Sequence, residues 1–280
     1  MRLLDTAQVV PLVSRLARKA CCSLDSTYTA ALAAALEQER SPYGRDVLQT
    51  LIDNAAYAQQ EGIPCCQDTG ICSVYMEIGQ EVAWAGAPLS AMVNEGVRQG
   101  YTEGFLRKSM VRCPLDRENT GDNTPAVFHP EIVEGDGVKI TVFPKGGGCE
   151  NNGAFTTLLP DSGERGIVDF VLQTVDTSGG KSCPPLTIGV GVGGTMDWCC
   201  HLAKRALLRA HGTRNPNERY ARLEREMLDT LNTLGIGPMG TGGTVTALDV
   251  RIEQYPCHIT ALPVAVSLQC HAARQATAFL

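Results

Sequence analysis

Pro64-Cys65-Cys66-Gln67-Asp68-Thr69-Gly70 separates a helical pattern before it from a strand-like run after it. It brings together two thiols, a side-chain amide, a carboxylate and a hydroxyl. A segment that only reversed the chain would need little beyond the Pro and the Gly. Soft sulfur donors beside hard oxygen and amide groups suit an iron centre that also binds a polar substrate. The same residues also read as a Pro/Gly turn with two core cysteines, because free Cys is among the most buried residue types.

Upstream, residues 5–61 read as helices. Val9, Val10, Leu12, Val13 and Leu16 recur at helical spacing, and an alanine-rich run follows over 30–36. Ser41-Pro42 reads as an N-cap with Pro at the first helical position, and Gly62 and Pro64 end the helix it opens. Downstream, residues 71–78 alternate as a strand does, and 88–97 read as a short helix. Residues 126–133 and 138–143 flank Glu134-Gly135-Asp136-Gly137 and predict a hairpin. Residues 167–175 read as helix and 186–192 as a buried strand. The pattern from Met196 to Leu207 is helical. Asn215-Pro216-Asn217-Glu218 reads as a cap with Pro at the first helical position, opening a helix striped by Tyr220, Leu223, Met227, Leu231 and Leu234. Strands are expected over 247–252 and 262–268. Without a repeat or a linker, the simplest architecture is one mixed α/β (α+β) domain over 1–280. A helical N-terminal third, 1–61, would pack with a β-sheet core, 62–280, that bears glycine-rich loops.

The 280 residues suffice for one large domain or two small ones. A net charge of −6 argues against non-specific nucleic-acid binding, which needs a basic excess. Apolar runs fall short of the roughly 20 residues of a membrane span, and the N-terminus lacks the apolar core of a signal peptide. Twelve cysteines occur without any Cys-x-x-Cys, which rules against a zinc ribbon, a thioredoxin-type motif and a bacterial ferredoxin run. Reduced thiols in the cytoplasm are expected, most of them core residues.

Two glycine-rich stretches invite ligand readings. Lys145-Gly146-Gly147-Gly148 lets backbone N–H groups approach an anion, or is a flexible loop. Gly189-Val190-Gly191-Val192-Gly193-Gly194 matches a dinucleotide fingerprint. However, no second strand follows at the usual distance, and Arg209, His211 and Arg214 stand where an acidic residue is expected. The alternative is that these glycines allow close backbone packing. A stronger signal is a set of cysteines in polar, turn-rich settings at strand ends: Cys66 before Gln-Asp, Cys183 before Pro-Pro, and Cys270 after a strand. Three thiolates on a four-iron cluster leave one iron open, as Lewis-acid catalysis requires, whereas electron carriers close all four with Cys. Spacing alone does not single out these three among the twelve.

Several segments occur in the order found in the α-subunit, or cluster-binding half, of class I fumarases and tartrate dehydratases. They are Cys66-Gln67-Asp68-Thr69-Gly70, Leu106-Arg107, Asn119-Thr120-Gly121-Asp122-Asn123 and Lys145-Gly146-Gly147-Gly148, then Cys183-Pro184-Pro185 through Gly194-Thr195, Leu234-Gly235-Ile236-Gly237-Pro238, and the tail from His258 to Cys270. The chain resembles that iron–sulfur hydro-lyase family nearly end to end. The resemblance implies a [4Fe-4S] cluster held by Cys66, Cys183 and Cys270, with one iron lacking a protein cysteine ligand. It implies a substrate shell of Gln67, Asp68, Arg107, Gly147, Gly148 and His258, with Lys145 a weaker member. Asp68 and His258 would be the catalytic pair, Asp68 on the proton of the leaving oxygen and His258 orienting the substrate. The expected reaction is reversible hydration of a small dicarboxylate, fumarate to (S)-malate first, L-tartrate or a related diacid as the alternative. In fused members a second half supplies further basic ligands and a proton-moving hydroxyl. Here the sequence stops at Leu280, so a separate β-subunit and a hetero-oligomer are expected. A cluster-bearing electron-transfer subunit and a nicotinamide enzyme are the competing classes.

Overall fold

A computed structural model describes residues 1–280, all of the chain. In chain order the elements are β1 (Arg2–Asp5), α1 (Val9–Cys22), α2 (Ser26–Gln38), α3 (Pro42–Glu61), β2 (Ile71–Gly79), β3 (Val82–Ala85), α4 (Leu89–Glu103), β4 (Val127–Val133) and β5 (Val138–Lys145). There follow α5 (Gly147–Glu150), β6 (Ala154–Leu158), α6 (Gly163–Ser178), β7 (Leu186–Gly193), α7 (Met196–Ala206), α8 (Glu218–Leu231), β8 (Ala247–Tyr255), β9 (Leu262–Gln269) and β10 (Ala276–Phe279). Helices and sheets mix as expected of an α+β chain. Two compact units form, each discontinuous in sequence. The first takes Met1–Leu24, Ala55–Gly147 and Arg274–Leu280, and the second takes Asp25–Asn54 and Gly148–Ala273. The helical stretch 1–61 is thereby divided, with α1 in the first unit and α2 in the second.

In the first unit a four-stranded sheet runs β10-β5-β2-β4. Its apolar face is covered by α1 and α4: Val13, Leu16, Ala17, Val93 and Val97 pack with Val74, Met76, Ile140 and Val142 in one core. The expected hairpin over 126–143 does not form. Its two strands, β4 and β5, both pair with β2, β4 parallel and β5 antiparallel. The physical reason lies in burial. β2 is buried almost continuously, as a central strand is, whereas β4 alternates and carries Pro130, which suits an edge. The Glu134–Gly137 connection crosses the end of β2, where Gly137 O accepts from Gly79 N at 2.8 Å and Gly135 O from Glu81 N at 3.0 Å. The opening residues also differ from the helical reading, because Arg2–Asp5 pairs in parallel with β3.

In the second unit the sheet order is β6-β9-β7-β8. β7 is buried along its whole length between antiparallel β9 and parallel β8. Val171, Val175, Leu223, Met227 and Leu231 of α6 and α8 share a core with Ile188, Val190, Val250, Ile252 and Leu268. α7 lies on β7 so closely that a Cβ on Gly189 would sit 2.1 Å from Ala203 O, and one on Gly191 2.1 Å from Cys199 O. The glycines of the dinucleotide-like run are therefore used by helix–strand packing. The cap of α8 also differs from expectation. The helix starts at Glu218, and Asn217, not Asn215, accepts from Arg219 N at 3.0 Å. Asn215 instead receives Asn217 N on its side-chain oxygen and donates to Ile252 O, so Pro216 precedes the helix. The Ser41-Pro42 start is as expected: α3 begins at Pro42, and Ser41 Oγ accepts from Gly44 N at 3.2 Å.

Candidate functional site

The Cys65–Gly70 loop of the first unit is fixed from below by buried polar groups. Cys65 N donates to Cys21 O at 3.0 Å. The Tyr101 hydroxyl donates to Thr69 O at 2.9 Å, and Asn123 Nδ2 donates to Gly70 O at 3.1 Å. The buried Thr69 hydroxyl donates to Arg107 O at 2.9 Å, which ties the Arg107 segment to the loop. Asn123 Oδ1 accepts from Ser109 N at 2.6 Å, so the Asn119–Asn123 motif serves as an internal clamp. Gly70 has φ +73°, and a Cβ there would meet Lys145 O at 2.3 Å. Only glycine permits this passage of the loop over the end of β5.

The loop's upper side carries the polar groups. Asp68 is half-buried and receives three donors: Gly70 N at 3.0 Å, Gly147 N at 2.8 Å and the Ser109 hydroxyl at 3.4 Å. The carboxylate therefore meets Gly147, which the family resemblance puts in the same substrate shell. Arg274, almost fully buried, donates through Nη1 to Asp68 O. Its Nη2 lies 2.9 Å from where a Cβ on Gly146 would stand. Sequence reasoning missed Arg274. Its only signal is a lone cation in the small-residue run Ala272-Ala273-Arg274. Cys66 is half-buried with its thiol 3.6 Å from Gln67 Oε1, while Gln67 and Arg107 are exposed. Lys145, the last residue of β5, is buried at 4% exposure.

In the second unit the sheet end brings two of the predicted cysteines to one place. β7 begins three residues after Cys183, β9 ends one residue before Cys270, and Thr187 faces Gln269 across the ladder. His271 N donates to Cys183 O at 3.3 Å. Cys183 is held left-handed, φ 55° and ψ 65°, before a cis Pro184-Pro185 bond. Both cysteines are half-buried. Within the same unit, the Ser182 hydroxyl donates to Gly148 O at 3.4 Å and Cys149 Sγ to Ser182 O at 3.3 Å. His258 is exposed in a turn, where Thr260 N donates to its Nδ1 at 3.2 Å. When that bond is made, the ring proton sits on Nε2.

Burial sorts the remaining thiols. It pushes those of Cys72 and Cys199 up to about 12 and that of Cys21 higher still. These are core residues and poor sources of thiolate. No group of three or more His, Cys, Asp or Glu side chains is gathered ready to hold a metal ion. No helix is long and apolar enough to cross a membrane.

The family model described as fumarate hydratase (Fumerase) matches residues 10–279. A Methanocaldococcus jannaschii protein provisionally named L(+)-tartrate dehydratase subunit alpha is 40% identical over 276 residues, covering 96% of each chain. L(+)-tartrate dehydratase subunit alpha of Escherichia coli K12 and that of Shigella boydii serotype 4 are each 34% identical over 245 residues, covering 86% of this chain and 80% of theirs. The chain belongs to the fumarate hydratase family, with the α-subunits of the class I fumarase and tartrate dehydratase hydro-lyases.

Proposed function

We propose that this chain is the cluster-binding α-subunit of an iron–sulfur hydro-lyase that reversibly hydrates a small dicarboxylate. The observation that carries the reading is the pairing of the Cys183 and Cys270 turns at one sheet end, in a chain of this family. Cys66, Cys183 and Cys270 would hold the cluster. The donor set fits in kind: three half-buried thiols on turns offer soft ligands to iron, as the fully buried Cys21, Cys72 and Cys199 do not, and the family resemblance picks them over the other half-buried thiols, Cys22, Cys113 and Cys200. A bound [4Fe-4S] group with one iron free of cysteine supplies a Lewis acid for a substrate carboxylate and hydroxyl.

The residues of the chain supply the rest. Arg107 is exposed and free to pair bidentately with a substrate carboxylate. Gln67 adds an exposed amide. Gly147 and Gly148 offer N–H donors to charge developing on the substrate, Gly147 turning from Asp68 Oδ2 as substrate enters. Lys145 adds positive charge beneath the loop. Asp68, still held by Gly70 and Ser109 once Gly147 has turned to the substrate, takes or returns the proton of the leaving oxygen. His258 presents Nε2–H to the substrate and is oriented by Thr260.

The relatives are named as α-subunits, which supports a separate β-subunit and a heteromeric enzyme. A dicarboxylate carries two negative charges, and Arg107 and Lys145 do not enclose both in a water-free site. The β-subunit would complete the cationic shell and exclude water. Fumarate and (S)-malate come first because the family description names that reaction. L(+)-tartrate is the second reading, favoured by the names of the three relatives. The test is anaerobic reconstitution with iron and sulfide, followed by assay of this chain with and without its β-subunit against fumarate, (S)-malate and L(+)-tartrate. Turnover of one diacid only by the pair is expected. A loaded cluster with no diacid turned over by the pair would point to electron transfer instead.

A further inference from the structure

We infer that Tyr28 of α2 is a positioning residue for the cysteine turn that closes β9. The inference rests on the reading of Cys270 as a cluster ligand. Tyr28 lies in the second unit and is buried at 3% exposure. Its hydroxyl donates to the backbone oxygen of Cys270 at 3.2 Å. The ring is itself held: His211 meets it edge-on, with centroids 5.6 Å apart and planes at 83°. His211 Nδ1 lies 3.7 Å from Asp249 Oδ2. Asp249 accepts from Gly212 N at 3.1 Å, from Arg214 Nη1 at 2.6 Å and from Arg251 Nε at 2.9 Å. The ring is thus packed edge-on against His211 beside the Asp249 cluster, and its hydroxyl ends on a peptide oxygen at the predicted ligand.

That peptide is a point where order matters. Cys270 stands one residue beyond the last ladder residue, so β-pairing no longer fixes its backbone. The next residue, His271, supplies the N–H that joins this turn to Cys183 O. Loss of the Tyr28 donor removes one of the contacts that fix the peptide plane between Cys270 and His271. Rotation of that plane would move the Cys270 side chain and the link to Cys183 together. A tyrosine that merely filled the core would need no hydroxyl, and burying a hydroxyl without a purpose is unfavourable.

The test uses the full chain reconstituted anaerobically with iron and sulfide. Tyr28→Phe, which keeps the ring against His211 and removes the donor, is compared with wild type, Leu32→Val and Cys270→Ser. Leu32 is a fully buried apolar residue of the same helix and controls for general loosening of α2. The readouts are iron and sulfide per chain, the electron paramagnetic resonance spectrum of the reduced cluster, and the rate of iron release to a chelator. Tyr28→Phe is expected to load the cluster but release iron about three- to tenfold faster, the range set by one buried hydrogen bond. Its spectrum should be altered, and Leu32→Val should match wild type. Release from Tyr28→Phe equal to wild type, or no faster than from Leu32→Val, would overturn the assignment. A full cluster in Cys270→Ser would instead overturn the ligand reading on which it rests. If Tyr28→Phe shows no cooperative thermal transition, 3-fluorotyrosine at position 28 replaces it. As a stronger donor of nearly the same shape it should slow iron release, and unchanged release would contradict the proposal.

Discussion

Asp68 Oδ2 accepts the backbone N–H of Gly147 at 2.8 Å, across 79 residues of sequence. One bond thus joins the acidic loop before β2 to the glycine loop after β5. The same carboxylate holds Gly70 N and the Ser109 hydroxyl, so three uncharged donors aim its two oxygens. In the proposed enzyme this is a proton-handling group, and Arg107, exposed and tied by its backbone oxygen to the neighbouring Thr69, is a binding group. Asp68→Asn is expected to lower kcat by about 10²–10⁴, the usual worth of a positioned acid or base, with cluster content retained. Arg107→Ala should raise KM more than it lowers kcat, with cluster content again retained. Steady-state kinetics and iron analysis on the same samples separate the two roles. Unchanged kinetics for either variant would move that residue to a structural role.

Gly70 and Gly62 give a matched pair for backbone strain. Both have positive φ, +73° and +64°. A Cβ on Gly62 meets nothing within 4 Å, whereas one on Gly70 would sit 2.3 Å from Lys145 O. Gly62→Ala should therefore cost about 1 kcal/mol from backbone strain alone. Gly70→Ala should cost more than about 2 kcal/mol and loosen the Asp68 loop. Thermal denaturation of both variants checks the difference, and equal losses would contradict it.

Glu39 sets a pH dependence of stability in the second unit. Burial works to raise its carboxyl, but donors from Ser41 N, Thr244 N and Val245 N outweigh it and hold the group below its usual range. A depressed folded value stabilises the fold above the unfolded value of 4.5, and that contribution is lost as pH falls through the folded value. Glu39→Gln should destabilise by about 1–3 kcal/mol at pH 7, the cost of weakening buried charge-assisted hydrogen bonds. The gap from wild type should close as the pH is lowered below 4.5. Chemical denaturation at pH 7 and in steps below pH 5 measures it. A gap that stays constant across that range would contradict the account.

Much of the architecture was legible because burial and period agree. β7, α7 and α8 stand near where their apolar patterns place them, and Pro42 opens α3 as its cap predicts. The misplaced hairpin shows the limit. A Gly-rich four-residue connection between two strands looks local, yet β2 lies between them, and only its near-continuous burial betrays a central strand. Arg2–Asp5 and Ala276–Phe279 are short strands whose partners, β3 and β5, are remote in sequence. Their ladders carry no local signal. At the site, residue type marked the 64–70 stretch and the 145–148 run as polar or backbone-lined turns, and the Asp68–Gly147 bond joins them, whereas the roles of Cys66 and Asp68 rest on the family resemblance. Arg274, Tyr101 and Asn123 were not assigned supporting roles, because they act on backbone atoms of the loop, and no residue pattern encodes that contact.

The most direct measurement is Mössbauer spectroscopy of the α/β pair reconstituted anaerobically with ⁵⁷Fe, with and without fumarate, (S)-malate or L(+)-tartrate. It is run on wild type and on Cys66→Ser, Cys183→Ser and Cys270→Ser, with the core variant Cys72→Ser as control. The account predicts a [4Fe-4S] signal in wild type and Cys72→Ser, a change confined to one iron site on adding the true substrate, and loss of cluster in the other three variants. A cluster that persists in all three, or a wild-type spectrum that no diacid alters, would contradict it.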